Sequence, residues 1–235
     1  MLVSQHKYQL IVDIDSTRPP LILLHGSGRD EEDMISLAAE FSPQSTAIAV
    51  RGAIPWEEGY AFFRRFADRS IDEESILTQA PILAKFMVGV GALYSLRERP
   101  ILVGFSNGAI IAAALISIYP DLAAGAVLLR PLSPFATPAS TRLPGTPVLI
   151  IDGSKDDRRM PDDGRRLAEQ MKEAGAAVTH HQLPAGHTVT EADCALVRQW
   201  LGAHFDARDG REKELELVVP TPSGIPSPET KEAAN

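Results

Sequence analysis

The chain has 235 residues, 44% hydrophobic and 23% charged. This globular composition excludes a mainly disordered, collagenous or coiled-coil protein, and a chain of this size needs no disulfide or structural metal to bury a core. Twenty-three Lys and Arg against 31 Asp and Glu give a net charge of −8, which argues against nucleic acid as a partner, while the lone cysteine, Cys194, belongs to no disulfide or metal-binding pair and points to a reducing compartment, the cytoplasm.

In chain order, the first twenty residues never string together the seven or more apolar residues of a signal peptide. Apolar runs of strand length are expected at 9–14, 21–24, 46–50, 101–104, 126–129, 148–152 and 178–182. They alternate with helical segments at 32–41, 72–95, 107–118, 162–175 and 191–205, the pattern of a mostly parallel central sheet with helices on both faces. Several strands are rich in Val, Ile and Leu with little alternation, as burial on both faces requires. Ser70 with Glu73 and Thr190 with Asp193 have the spacing of helix N-terminal caps, and Pro81 should kink or split the long segment around it. The 21 uncharged residues between Arg99 and Asp121 match a bilayer span in length. Gly104, Ser106, Asn107, Gly108 and Pro120 interrupt them, so they read as a buried strand and a buried helix rather than an integral membrane segment. One α/β domain is expected over 1–205, and a flexible, charged, Pro-rich tail over 206–235, where apolar side chains are too few to offset ordering entropy. Oligomeric state is left open, a homodimer included.

The sharpest chemical signal is Gly104-Phe105-Ser106-Asn107-Gly108, preceded by an apolar strand and followed by an apolar helix. A serine on such a strand-to-helix turn is lifted out of the sheet, and small residues two positions to either side let the backbone turn: this is a nucleophile elbow. A serine hydroxyl needs a base to take its proton. Of six histidines, His187 lies in a loop after a strand and before the last helix, where this architecture presents its base. His6, His180, His181 and His204 read as surface or structural residues, and His25 as one that shapes its loop. The base needs a carboxylate to hold its tautomer, and Asp152, Asp156 and Asp157 follow a buried strand. Asp152 is still at the strand end; Asp156 is favoured over Asp157, which could pair instead with Arg158 or Arg159. For the tetrahedral oxyanion, the candidate donors are the backbone N–H groups of Asn107, at a helix N-terminus, and Ser27, in the HGSG loop.

The blocks LILLHGSGRDEEDM, VRGAIPWEEGYAFF, LVGFSNGAIIAAAL, GAVLLRPLSPF, PVLIIDGSKDD and PAGHTVTEAD resemble, in matching order over about 21–201, the phospholipase/carboxylesterase family of serine α/β-hydrolases related to acyl-protein thioesterases. The resemblance implies the α/β-hydrolase fold, Ser106, Asp156 and His187 as a catalytic triad, and Ser27 and Asn107 as oxyanion donors. It also implies hydrolysis of small-molecule carboxylic esters, or of thioesters or lysophospholipids, through an acyl-enzyme. That chemistry requires no metal and no organic cofactor. Two departures stand out: Phe62-Phe63 replaces a Trp-Phe pair common in the family, and Asp157-Arg158-Arg159 follows Asp156 where Asp-Pro is common, which leaves the acid open. Trp56, Tyr60, Phe62, Phe63, Leu132 and Phe135 fall in loops after strands and are candidates to line an acyl site, core packing beneath long loops being the competing reading. With no long lid insertion in the sequence, short- to medium-chain esters are expected. The alternative of another class is a hydrolase-like binding protein without catalysis, which a misplaced acid would produce.

Overall fold

The structure is a computed structural model that describes residues 6–11, 16, 18–43, 45–137 and 141–206. Nine strands, β1 (Tyr8–Ile11), β2 (Leu21–Leu24), β3 (Ala47–Val50), β4 (Ile54–Trp56), β5 (Gly59–Ala61), β6 (Ile101–Phe105), β7 (Gly125–Leu129), β8 (Pro147–Gly153) and β9 (Ala177–Leu183), are interspersed with five helices. These are α1 (Glu31–Phe41), α2 (Glu73–Leu93), α3 (Asn107–Ile118), α4 (Asp163–Glu173) and α5 (Glu191–Phe205). Seven strands form one sheet in the order β1-β3-β2-β6-β7-β8-β9, parallel throughout except for β1, which runs antiparallel to β3. This is the α/β-hydrolase architecture: a mostly parallel sheet with helices on both faces. Positions 12–14 of the first expected strand, and the expected tail apart from Asp206, lie outside the described residues.

The apolar runs show no polar alternation because each face of the sheet has its own helices to bury against. Ile22, Leu24, Ile48, Val50, Leu102, Ala126, Leu128, Val148 and Ile150 face a core shared with α2, α3 and α4. Their neighbours Leu21, Leu23, Ala47, Ala49, Ile101, Val103, Val127, Leu129, Leu149 and Ile151 face α1 and α5. The period of two survives, with both phases apolar. The uncharged run after Arg99 is β6 and α3, and Asn107 to Ile116 of α3 are all buried. By length and composition α2 alone among the described residues could cross a bilayer; Ile76, Leu83, Phe86, Met87 and Val90 on it are instead buried.

Two local expectations are corrected. Helix α2 is capped not by Ser70 but by Asp72, whose side chain accepts from the Ser75 N–H at 2.9 Å, because Asp68 has already engaged the Ser70 hydroxyl at 2.6 Å. Pro81 does not split the helix, which runs unbroken from 73 to 93; Pro81 and Leu77 are both exposed, so water can serve the Leu77 carbonyl that the missing N–H leaves free. At α5 the capping box of Thr190 and Asp193 forms as its spacing indicates. The short hairpin β4–β5, three residues per strand, had no periodic signal to mark it.

From β2 the chain steps one way to β3 and later returns on the other side as β6. The loops leaving β2 and β6 therefore diverge and open a crevice at the carboxyl ends of these two strands, the usual ligand position in such sheets.

Candidate active site

Strand β6 ends at that crevice, and the backbone turns at Ser106 with φ 53° and ψ −108°, a conformation rare and strained for a residue with a Cβ. The flanking glycines make it possible. A Cβ on Gly104 would lie 2.4 Å from the Gly108 carbonyl oxygen, and one on Gly108 would lie 2.0 Å from that of Leu24. The second contact also shows how closely the start of α3 approaches the end of β2, which carries the HGSG loop. That loop is fixed from several sides. His25 donates from Nδ1 to its neighbour Gly26 O at 2.7 Å and accepts from the Gly52 N–H on Nε2 at 2.9 Å, an arrangement that needs the neutral ring, consistent with burial lowering its pKa. Gly28 and Arg29 exchange backbone hydrogen bonds with Tyr60 of the hairpin.

Strands β8 and β9 are parallel neighbours, so their carboxyl ends deliver two further loops to the same edge. In the first, Asp156 holds its Oδ1 against the Arg158 N–H at 2.9 Å. In the second, His187 places Nδ1 2.7 Å from Asp156 Oδ2 and Nε2 2.9 Å from Ser106 Oγ. The three side chains put forward as nucleophile, acid and base thus form one hydrogen-bonded chain. The side chains of Asp156 and His187 are 1% and 7% exposed, and the imidazole leans on the Phe105 ring at a centroid separation of 5.2 Å. With Nδ1–H donated to the carboxylate, Nε2 is left to accept the serine proton. Burial lowers the His187 pKa below the usual imidazole value; the Asp156 carboxylate opposes this, and the charges of Arg159 and Arg158 reinforce it. The base is therefore neutral and ready near pH 7.

The other aspartates are elsewhere. Asp152 gives its carboxylate to His180 at 2.6 Å, and burial raises its pKa. Asp157 is exposed, and among the described residues its side chain makes no hydrogen bond or ion pair, with Arg158 and Arg159 included. Of the remaining histidines, His6 meets the Arg51 carbonyl and His204 that of Trp200.

The N–H of Asn107 opens α3 and so has no acceptor within its helix, while the Ser27 N–H makes no hydrogen bond among the described residues. The buried Asn107 side chain also ties the segment after the hairpin to the elbow, accepting from the Phe62 N–H at 2.8 Å and donating to the Phe63 carbonyl at 3.3 Å. This segment seals Phe62 and Phe63 into the core, 1% and 0% exposed, so neither ring presents an open acyl-binding surface. Trp56 and Tyr60 are half-buried on the hairpin. Leu132 and Phe135 pack partly buried against the core. Phe135 lines a concavity with Ser117, Leu143 and Met171.

Two arginines complete the site, and neither stood out in the sequence. Arg130, fully buried just after β7 with φ 52°, donates from Nε to Gly186 O at 3.0 Å and from Nη2 to Thr188 O at 2.9 Å. It thereby grips the carbonyls on either side of His187, while Nη1 and Nη2 meet the equally buried Asp193 at 2.7 and 2.9 Å. Arg159 donates from Nε to Arg130 O at 2.8 Å and from Nη2 to Ser106 Oγ at 3.0 Å. Cations whose partners are distant in the sequence carry no local motif, since the Asp193 that meets Arg130 lies 63 positions away and the Ser106 that meets Arg159 lies 53.

No family model matches the chain. Known proteins nevertheless resemble it over most of its length. The Bacillus subtilis (strain 168) protein MhqD, named as a hydrolase, is 30% identical over 181 residues, 77% of this chain and 90% of its own. The crystal structure of a Bacillus cereus carboxylesterase superposes with a TM-score of 0.81 at 30% identity, covering 85% of this chain and 95% of the other. A carboxylesterase from Mesorhizobium loti does so with a TM-score of 0.80 at 33% identity, covering 84% and 95%.

Proposed function

Since the chain belongs to the phospholipase/carboxylesterase family of serine α/β-hydrolases and is a carboxylic ester hydrolase, we propose that Ser106, His187 and Asp156 carry its reaction. The observation that supports this reading is the relay of 2.7 and 2.9 Å from Asp156 through His187 to Ser106.

In the first half-reaction Ser106 Oγ attacks the ester carbonyl carbon as its proton passes to His187 Nε2. Asp156 stabilises the imidazolium that forms. The carbonyl oxygen becomes an oxyanion, met by the N–H groups of Ser27 and Asn107, each worth about 10²–10³ in rate in sites of this kind. Collapse expels the alcohol, which takes the proton from Nε2 and leaves an acyl group on Oγ. In the second half-reaction a water molecule gives its proton to the same nitrogen and attacks the acyl carbon, releasing the acid and restoring the serine.

Short- to medium-chain acyl groups suit this site, because Phe62 and Phe63 are packed away and Trp56 and Tyr60 are the aromatic residues left partly open on the hairpin. A reducing compartment, the cytoplasm, suits a chain whose lone Cys194 is a buried free thiol. The test is Ser106→Ala assayed with aryl esters of graded chain length, beside labelling of the parent protein by a fluorophosphonate. Loss of turnover and labelling confined to Ser106 is the expected result; unchanged turnover in the variant overturns the mechanism, and an unlabelled parent points to a binding protein. Paired ester and thioester substrates assign the leaving atom.

A further inference from the structure

Arg159 is an unusual neighbour for a nucleophile. Its side chain is half-buried, and among the described residues it forms no ion pair. The carboxylates near enough to act on it are committed elsewhere: Asp156 to His187 and the Arg158 N–H, Asp152 to His180, and Asp163 to the Met160 N–H and Arg166. Among the described residues its one hydrogen bond to a side chain is to the Ser106 hydroxyl at 3.0 Å, its other bonds going to the carbonyls of Arg130 and Arg158. Those three bonds leave two of the five N–H groups of a guanidinium unused. A second half-buried cation, Arg65, which forms no ion pair among the described residues, lies close enough to repel it. Burial and this repulsion bring the Arg159 pKa down to about 10, so it still carries its charge at neutral pH. A chain with net charge −8 therefore keeps, against its nucleophile, a cation that nearby carboxylates attract only from a distance and that none of the described carboxylates meets directly. Holding a half-buried charge without a paired counter-ion is costly, and an anionic substrate group is the partner that lowers the cost.

We propose that Arg159, backed by Arg65, is a carboxylate-binding subsite, and that the preferred substrates are esters carrying a carboxylate a short distance from the scissile carbonyl. This rests on the serine-hydrolase reading above and specifies its substrate class. A guanidinium offers paired donors that match a carboxylate. With the carbonyl carbon about 3 Å from Oγ and a carboxylate oxygen about 2.8 Å from the guanidinium, the two groups are separated by roughly two to four carbons. Binding also changes the nucleophile. In the free enzyme Nη2 occupies a lone pair of Oγ; a carboxylate that draws the guanidinium toward itself releases that lone pair for attack, whereas a neutral ester must break the same bond without replacement.

The test compares kcat/KM for esters matched in length. 4-Nitrophenyl hydrogen glutarate is set against 4-nitrophenyl pentanoate for a carboxylate on the acyl side, and 3-acetoxybenzoate against phenyl acetate for one on the alcohol side. The parent protein should favour the anionic member of at least one pair, and Arg159→Met should lower that preference about 10- to 100-fold. Arg159→Lys should restore part of it, and Arg65→Gln should lower it by a smaller factor. Glutarate should inhibit the parent protein competitively and Arg159→Met much more weakly. Equal rates on both members of both pairs, or a preference that survives in Arg159→Met, overturns the proposal. In either case, continued cleavage of the neutral esters and labelling of Ser106 show that the hydrolase reading stands. A parent protein that cleaves none of the four esters and is not labelled sinks both.

Discussion

Replacing Arg130 by Met removes the side chain that holds both flanks of the His187 loop. Arg130 and Asp193 are each fully buried, and deleting one partner of such a pair strands the other charge, at a cost of about 3–5 kcal/mol. Three carbonyls, those of Gly186, Thr188 and Ile151, lose a donor at the same time. Gly186 and Thr188 are on a partly exposed loop and can turn to water, so the total should stay near 5 kcal/mol, a third or more of the stability of an ordinary domain. Relaxation of those carbonyls moves His187 between them. A shift of about 1 Å in a catalytic group costs about 10²-fold, so kcat/KM should fall at least that far even where the protein remains folded. Urea denaturation gives the first quantity, and hydrolysis of an aryl ester well below the unfolding midpoint gives the second. Asp193→Asn, which keeps the shape and much of the hydrogen bonding, serves as the milder companion. An Arg130→Met protein within 1 kcal/mol of the parent and with unaltered kcat/KM would refute the assignment of this pair as the clamp on the base.

The pH dependence follows from the lowered pKa of His187. The base acts as neutral imidazole, so kcat/KM should rise with pH along a limb whose midpoint lies below 6.5. Arg159→Met removes a charge that disfavours the imidazolium, and should move that limb to higher pH; a limb above 6.5 in the parent, or a shift the other way in the variant, contradicts the electrostatics. Asp156→Asn should reduce kcat by about 10³–10⁴, and Asp157→Asn, whose side chain is exposed and unbonded, should leave it within a few-fold; interchange of the two results would move the acid one residue along. Gly108→Ala drives a Cβ to 2.0 Å from the Leu24 carbonyl oxygen, so expression should fall or the thermal midpoint should drop by many degrees, with fluorophosphonate labelling lost in whatever folds; a fully labelled, undisturbed variant would show that the elbow can open there.

The features legible in the sequence are those whose causes are local. Apolar runs such as 148–152 mark strands because a two-sided sheet leaves no place for polar residues, and Thr190 with Asp193 marks a helix start because the capping bonds span only three positions. Gly104, Ser106 and Gly108 announce the elbow because its steric conditions act within one turn of backbone. Ser70 misled for the complementary reason: a competing acceptor, Asp68, sits two residues away, and spacing alone does not rank two local partners. For Phe62 and Phe63 the sequence left pocket lining and core packing both open, because hydrophobicity by itself is the same for a core ring and a pocket ring.

The amino-acid order by itself settled the architecture and pointed to the serine and the histidine, since short-range sterics and the periodicity of burial act on neighbouring residues. Which aspartate meets His187, where Arg130 takes hold and why Arg159 ends against Ser106 belong to the tertiary structure, because these partners lie 31, 56 and 53 positions apart. Their meeting depends on the order and register in which β6, β7, β8 and β9 assemble, and no interaction within a single segment encodes that distance.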